Sequence, residues 1–68
     1  MTPPTGKEFC AFLERNGRFL ARIRGSHHVY KKPGVNALLT VPVHQPLKRG
    51  LFTALLSLAG LEWPGPGL

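Results

Sequence analysis

Two residues, Gly25-Ser26, separate two runs that read as β-strands, Arg18 to Arg24 and His27 to Lys32. Strands joined by so short a link can only return antiparallel, because a parallel crossover needs a dozen residues or more. The rest of the chain has to arrange itself around that hairpin. In the first run Phe19, Ala21 and Ile23 alternate with Leu20, Arg22 and Arg24. That is the period of a half-buried strand with a charged outer face. In the second run Val29 is the only aliphatic residue, so it is expected to face the core. His27 and Lys31 then share its side, while His28, Tyr30 and Lys32 point to the open side. Pro33-Gly34 is a turn signal, and Leu38 to Val43 is a third strand with Leu39, Val41 and Val43 inward and Thr40 opposite. Pro42 lacks an amide hydrogen and suits an edge position.

A helix is expected on either side of this meander. Thr5-Gly6-Lys7-Glu8 matches a capping box, Phe9, Phe12 and Leu13 form an apolar stripe with Cys10 beside it, and Asn16-Gly17 offers a stop. The spacing predicts a helix over residues 6–16. His44-Gln45-Pro46-Leu47 is a connector. From Lys48 onward Leu51, Leu55 and Leu58, with Phe52, Leu56 and Ala59 alongside, predict a second helix that ends at Gly60. The order helix, three-stranded antiparallel meander, helix is an α+β chain. Both helices have one apolar face, so the economical packing is two layers with both helices on one side of the sheet. A single domain over residues 1–68 is expected, with its core at 5–61 and flexible ends at 1–4 and 62–68. Trp63 is placed where it can fold back on the domain.

A chain of 68 residues has a thin core and no room for a deep enclosed pocket, which favours a surface site and a polymeric ligand. Nine Lys and Arg face three acids, Glu8, Glu14 and Glu62. No acid falls between Arg15 and Leu61, whereas eight of the nine cations do. Such an asymmetry points to a polyanionic partner, nucleic acid above all. The single Cys10 forms no internal disulfide and sits at a helical core position. No apolar run reaches the length of a membrane span and the amino terminus has no signal-peptide pattern, so a cytoplasmic location is expected.

The side chains expected on the open face, Arg22, Arg24, His28, Tyr30, Lys32 and Thr40, suit RNA cleavage by internal transesterification. His28 is the candidate acid or base, because an imidazole exchanges protons near neutral pH. Arg22, Arg24 and Lys32 are placed to hold phosphate, with Gly25 and Lys31 as further RNA contacts. Tyr30 can stack on a splayed base or donate its hydroxyl, and Ser26 can hydrogen-bond the backbone or the RNA. A shallow site with one histidine implies a slow enzyme. His27, on the expected core side, reads as a hydrogen-bonded structural residue before a catalytic one, and His44 as a cap after the third strand. His27 and His28 point to opposite faces and no carboxylate stands near them, so no metal or other cofactor is expected. A non-catalytic RNA-binding module using the same face is the alternative, and a subunit that binds only an acidic protein is a third reading.

Three blocks in this order, Gly25-Ser26-His27-His28-Val29-Tyr30, Val41-Pro42-Val43-His44, and Lys48-Arg49-Gly50-Leu51 with Ala59-Gly60-Leu61, closely resemble the HicA family of toxins. The resemblance covers about residues 7–61. It implies a fold like that of double-stranded-RNA-binding domains, α-β-β-β-α, and the activity of an mRNA interferase in a type II toxin–antitoxin pair. It also implies a HicB-type antitoxin that binds the toxin and blocks its active site. The family's essential histidine, in its Gly-Ser-x-His block, maps onto His28, and family sequences vary at His27. The chain departs from the family in its short 44–47 connector and its Pro/Gly-rich tail.

Overall fold

The computed structural model describes residues 3–63 and contains α1 (Gly6–Arg15), β1 (Phe19–Arg24), β2 (His27–Lys32), β3 (Val35–Pro42) and α2 (Arg49–Ala59). Residues 1–2 and 64–68, expected to be flexible, lie outside the described residues. The α-β-β-β-α order, the antiparallel β1-β2-β3 sheet and the helices on one side of it are as the sequence predicts.

The local signals act as their chemistry requires. The Thr5 hydroxyl accepts from the Glu8 amide (3.1 Å) and the Glu8 carboxylate accepts from the Thr5 amide (2.9 Å), which closes the capping box. Gly25 has φ 61° and Ser26 does not have positive φ. A positive φ at the first of two turn residues is the II′ pattern, whose twist suits a tight hairpin. Gly6 is required for a different reason. A Cβ there would stand 1.9 Å from the Pro42 carbonyl oxygen, so the start of α1 lies directly on the β3 backbone.

One core holds the layers together. Phe9, Phe12 and Leu13 of α1 and Phe52 and Leu55 of α2 meet Tyr30, Leu39 and Val41 of the sheet. Phe9 and Phe52 meet edge-on with ring centroids 5.8 Å apart. Trp63 folds back as expected and stacks edge-on against Phe12 at 4.7 Å and Phe52 at 5.5 Å. The chain just before α1 also makes contact with the domain. Pro4 is buried and its carbonyl accepts from the Leu47 amide at 3.0 Å.

The faces of the strands depart most from expectation. Directly paired residues of neighbouring strands share a face. Tyr30 pairs with Leu39 and Leu20, and His28 with Val41 and Ile23, so this set faces the helices. Val29 pairs with Thr40 and Arg22, and His27 with Pro42 and Arg24, so that set faces away. The expected orientation of β2 is therefore inverted. The reason is Tyr30, whose ring has far more apolar area to bury than an isopropyl group. It is 1 % exposed, and its hydroxyl reaches the rim to donate to Glu14 Oε2 at 2.6 Å. Val29 is still buried, beneath its neighbours on the far face.

β1 contains a bulge between Leu20 and Arg22 that changes its parity partway. Arg22 and Arg24 consequently do reach the open face, as expected, and Ile23 the helix side. Phe19 and Ala21, expected inward, are on the open side, and Leu20 is on the helix side. β3 begins at Val35, earlier than its apolar pattern suggests, because the Pro33-Gly34 turn brings Val35 directly opposite Lys32. On α2 the inward stripe is Phe52, Leu55, Leu56 and Ala59, while Leu51 and Leu58 are exposed. Arg18, read as the start of the first strand, is buried before β1, and its Nη2 donates to the Ala59 carbonyl (3.4 Å) at the end of α2.

Candidate nucleic-acid interface on the open face

The face of the sheet away from the helices is a shallow trough. Its larger part, a depression of about 550 Å³, is lined by Arg22, Arg24, His27, Val29, Leu38 and Thr40. A second part of about 300 Å³ shares Arg22, Val29 and Leu38 and adds Ala21 and Lys31. The trough therefore runs from His27 at the Gly25-Ser26 turn to Lys31 near the other end of β2. Each cation owes its place to strand geometry. Arg24 stands opposite His27 and Arg22 opposite Val29. The bulge at Ala21 brings both arginines to the same side as His27. All four polar groups, Arg22, Arg24, His27 and Lys31, are exposed, and among the described residues no carboxylate lines the trough. Glu8 and Glu14 belong to α1, in the other layer.

The sequence singles out several residues that the fold does not bring here. His28 is half-buried on the helix side, between Ile23 and Val41. Tyr30 is in the core, so its ring is not available for stacking on a base. Burial first, and then its hydrogen bond to the Glu14 carboxylate, push the Tyr30 phenol well above its usual range. Burial also raises the neighbouring Cys10 thiol, with the Glu14 charge adding to the effect. Cys10 is thus a core residue with little thiolate character. Lys32 is exposed at the end of β2, opposite Val35. Gly25 is exposed in the turn. Ser26 is half-buried, and its carbonyl accepts from the Val43 amide at 3.0 Å, which anchors the hairpin turn to the chain leaving β3. His44 is exposed and lines a separate depression with Thr5, Lys7, Val43 and Gln45, without acting as a cap.

Four trough residues, Ala21, His27, Val29 and Lys31, are not where strand periodicity puts them, whereas Leu38 is on the Thr40 side, as its parity requires. His27, expected on the core side, reaches the trough through the inverted parity of β2. Leu38 is 45 % exposed on the open face, and a signal for it exists in the sequence: Leu38 and Leu39 are adjacent, so a strand cannot bury both on one side. Among the described residues no three His, Cys, Asp or Glu side chains come together as metal ligands. No helix among them is long and apolar enough to cross a membrane.

A histidine beside two guanidiniums, with an ammonium further along the same face over an apolar floor, is an arrangement suited to an anionic polymer. Positive groups of this kind suit phosphate, and exposed aliphatic side chains such as Leu38 suit flat apolar surface. Fold and face together define a minimal α-β-β-β-α domain with a cationic sheet. The family model described as the HicA toxin of bacterial toxin–antitoxin matches residues 6–61, and the chain belongs to that family. An antitoxin partner is implied by that membership. No curated protein matches the chain.

Proposed function

We propose that this chain is an endoribonuclease, an mRNA interferase whose activity a HicB-type antitoxin restrains, and that RNA is cut on the open face of the sheet. The observation that carries the reading is the shared trough of His27, Arg22, Arg24 and Lys31, with no acid among them. In the proposed reaction the His27 imidazole takes the proton of a 2′-hydroxyl. The 2′-oxygen attacks the adjacent phosphorus, the bond to the 5′-oxygen breaks, and that oxygen takes a proton from water. Arg22 and Arg24 hold the non-bridging oxygens, on which charge accumulates as the fifth ligand arrives. Lys31, further along the trough, holds a neighbouring phosphate and keeps the strand in register. Because a single imidazole serves an open, solvated surface, acid–base assistance of about 10²–10⁴-fold is the scale to expect, and turnover is slow.

His28 remains the second candidate, through the Gly-Ser-x-His block of the family it resembles. It lies beside the same turn but on the other side of β2, away from the arginines. The variants His27→Ala and His28→Ala separate the two. Each is checked for an unchanged circular dichroism spectrum and incubated with a long single-stranded RNA. Cleavage by the parent and by His28→Ala but not by His27→Ala supports the open-face site. The reverse result moves the chemistry to the helix side of the strand. Intact RNA with all three proteins, together with a gel shift that weakens as salt rises, replaces the enzyme by a non-catalytic RNA-binding module.

A further inference from the structure

The two edges of the sheet are finished differently at the end beside the Gly25-Ser26 turn. β3 ends in Pro42, which has no amide hydrogen, and its backbone there is covered by the start of α1 at Gly6. β1 pairs with β2 alone, and all six of its residues are exposed. Along its outer side every second pair of backbone N–H and C=O groups points away from β2, the usual template for another strand. The side chains beside that edge are unusually apolar for a solvated strand: Phe19 is 47 % exposed, Leu20 40 % and Ile23 56 %. Leu20 and Ile23 are on the helix side, and neither belongs to the core. A strand that only had to stay in water would not keep three large apolar groups at its open edge.

The charges say what kind of strand fits. A second copy of this chain would bring its own Arg22 and Arg24 against the first pair, and like charges facing one another across a ladder are destabilising. No acid between Arg15 and Leu61 is present to offset them. We propose that the outer edge of β1 receives an extended segment of the antitoxin as a fourth antiparallel or parallel strand. Its carboxylates lie on the open face against Arg22 and Arg24, and its apolar side chains lie on the other face over Leu20 and Ile23. This rests on the toxin–antitoxin reading of the chain. The pattern required of the partner is an alternation of acidic and apolar residues, since a strand shows every second side chain to each face. Such a strand does more than hold the complex together. It occupies the two guanidiniums that RNA phosphate needs, so binding of the segment and of RNA exclude one another.

The test uses the full chain and a capped peptide of alternating valine and glutamate long enough to span β1. A copy of that peptide N-methylated along one edge is the control. Amide hydrogen exchange and the ¹⁵N–¹H spectrum are followed on titration. The expected result is slowing of about tenfold or more at amides of residues 19–24, with residues 35–42 unchanged and no effect of the methylated peptide. The double variant Arg22→Glu with Arg24→Glu should bind the glutamate peptide at least about tenfold more weakly and should prefer a lysine counterpart. Absence of protection at 19–24, protection confined to another element, or unchanged affinity in the charge-reversed variant overturns the proposal. So does protection of the same amides without peptide, rising with protein concentration, because the occupant would then be a second copy. The readout is independent of catalysis. Loss of RNA cleavage with intact β1 protection refutes the ribonuclease and leaves the edge, while cleavage without protection does the opposite.

Discussion

The two faces of the sheet are made from the same three strands, yet they have almost nothing else in common. The helix side presents Tyr30, Leu39 and Val41, each almost wholly shielded from water. The open side presents Arg22, Arg24, His27, Lys31 and Thr40, with Val29 and Leu38 as its apolar floor. One residue along a strand separates them: His27 belongs to one face and His28 to the other. A domain this small buries only about 60% of its unfolded surface, so it has no spare apolar area to place on both sides. Stability is concentrated on one face, and the other face, with its exposed cations, is the one proposed to meet RNA. A substitution should therefore affect folding or RNA according to its parity on the strand, whatever its distance along the chain.

That separation can be broken most forcefully at Tyr30. Tyr30→Ala should lower unfolding free energy by about 3–5 kcal/mol, the usual range for truncating a buried aromatic ring. Thr40→Ala, one strand over on the open face, should stay within about 0.5 kcal/mol. Denaturant midpoints for the two variants measure the contrast directly, and equal losses would mean that the open face is also part of the core.

The cations come next. Arg22→Ala and Arg24→Ala should leave the melting temperature unchanged while weakening binding to single-stranded RNA. The slope of log affinity against log salt should become shallower by about 0.7 for each phosphate that is no longer neutralised. Lys7→Ala, on α1, serves as the control for net charge alone. If it matches the arginine variants, the trough has no special place in binding.

The smallest expected effect lies at the rim of the core. The Tyr30 hydroxyl is held protonated in the fold, with its proton bound more tightly than in the unfolded chain. A group whose folded pKa is raised contributes its full stability below the unfolded pKa and loses it as pH rises. The parent should accordingly lose stability above about pH 10, where an unfolded tyrosine ionises. Cys10, also raised, begins the decline somewhat earlier, at about pH 8.5 on the same argument. Tyr30→Phe should cost about 0.5–1.5 kcal/mol at neutral pH by removing the bond to Glu14, and should flatten the alkaline limb of a melting-temperature profile. An unchanged limb would assign the decline to Cys10.

Most of the architecture is legible in the sequence because its signals are local. The capping box at Thr5 and Glu8, the two-residue turn at Gly25-Ser26 and the left-handed stop at Gly60 depend on neighbours within a few positions. The site is legible in part. Arg22, Arg24 and Thr40 are expected on the open face, and they are there, while Lys31, expected on the Val29 side, reaches it with His27 through the inversion of β2. His28 and Tyr30 are expected there and are on the other side. The difference has one source, since β2 has no clean apolar alternation. Val29 and Tyr30 are adjacent, both are buried, and periodicity alone favours the aliphatic residue as the anchor. Tyrosine carries the larger apolar body together with a polar tip that can escape at an edge, and Glu14 on α1 provides the partner.

Composition and local chemistry thus determined, with no reference to tertiary structure, that two helices with strong end signals flank a tight antiparallel meander whose first two strands carry four of the nine cations. Which side of the sheet each strand residue occupies was decided only when the helices docked. The choice of face depends on which set of side chains fills the space beneath α1 and α2, and on a bulge at Ala21 that no periodicity announces. Strand parity has only two values, and slipping by one residue exchanges them for a whole strand. The packing of a single ring, Tyr30, therefore decided which histidine stands beside the arginines.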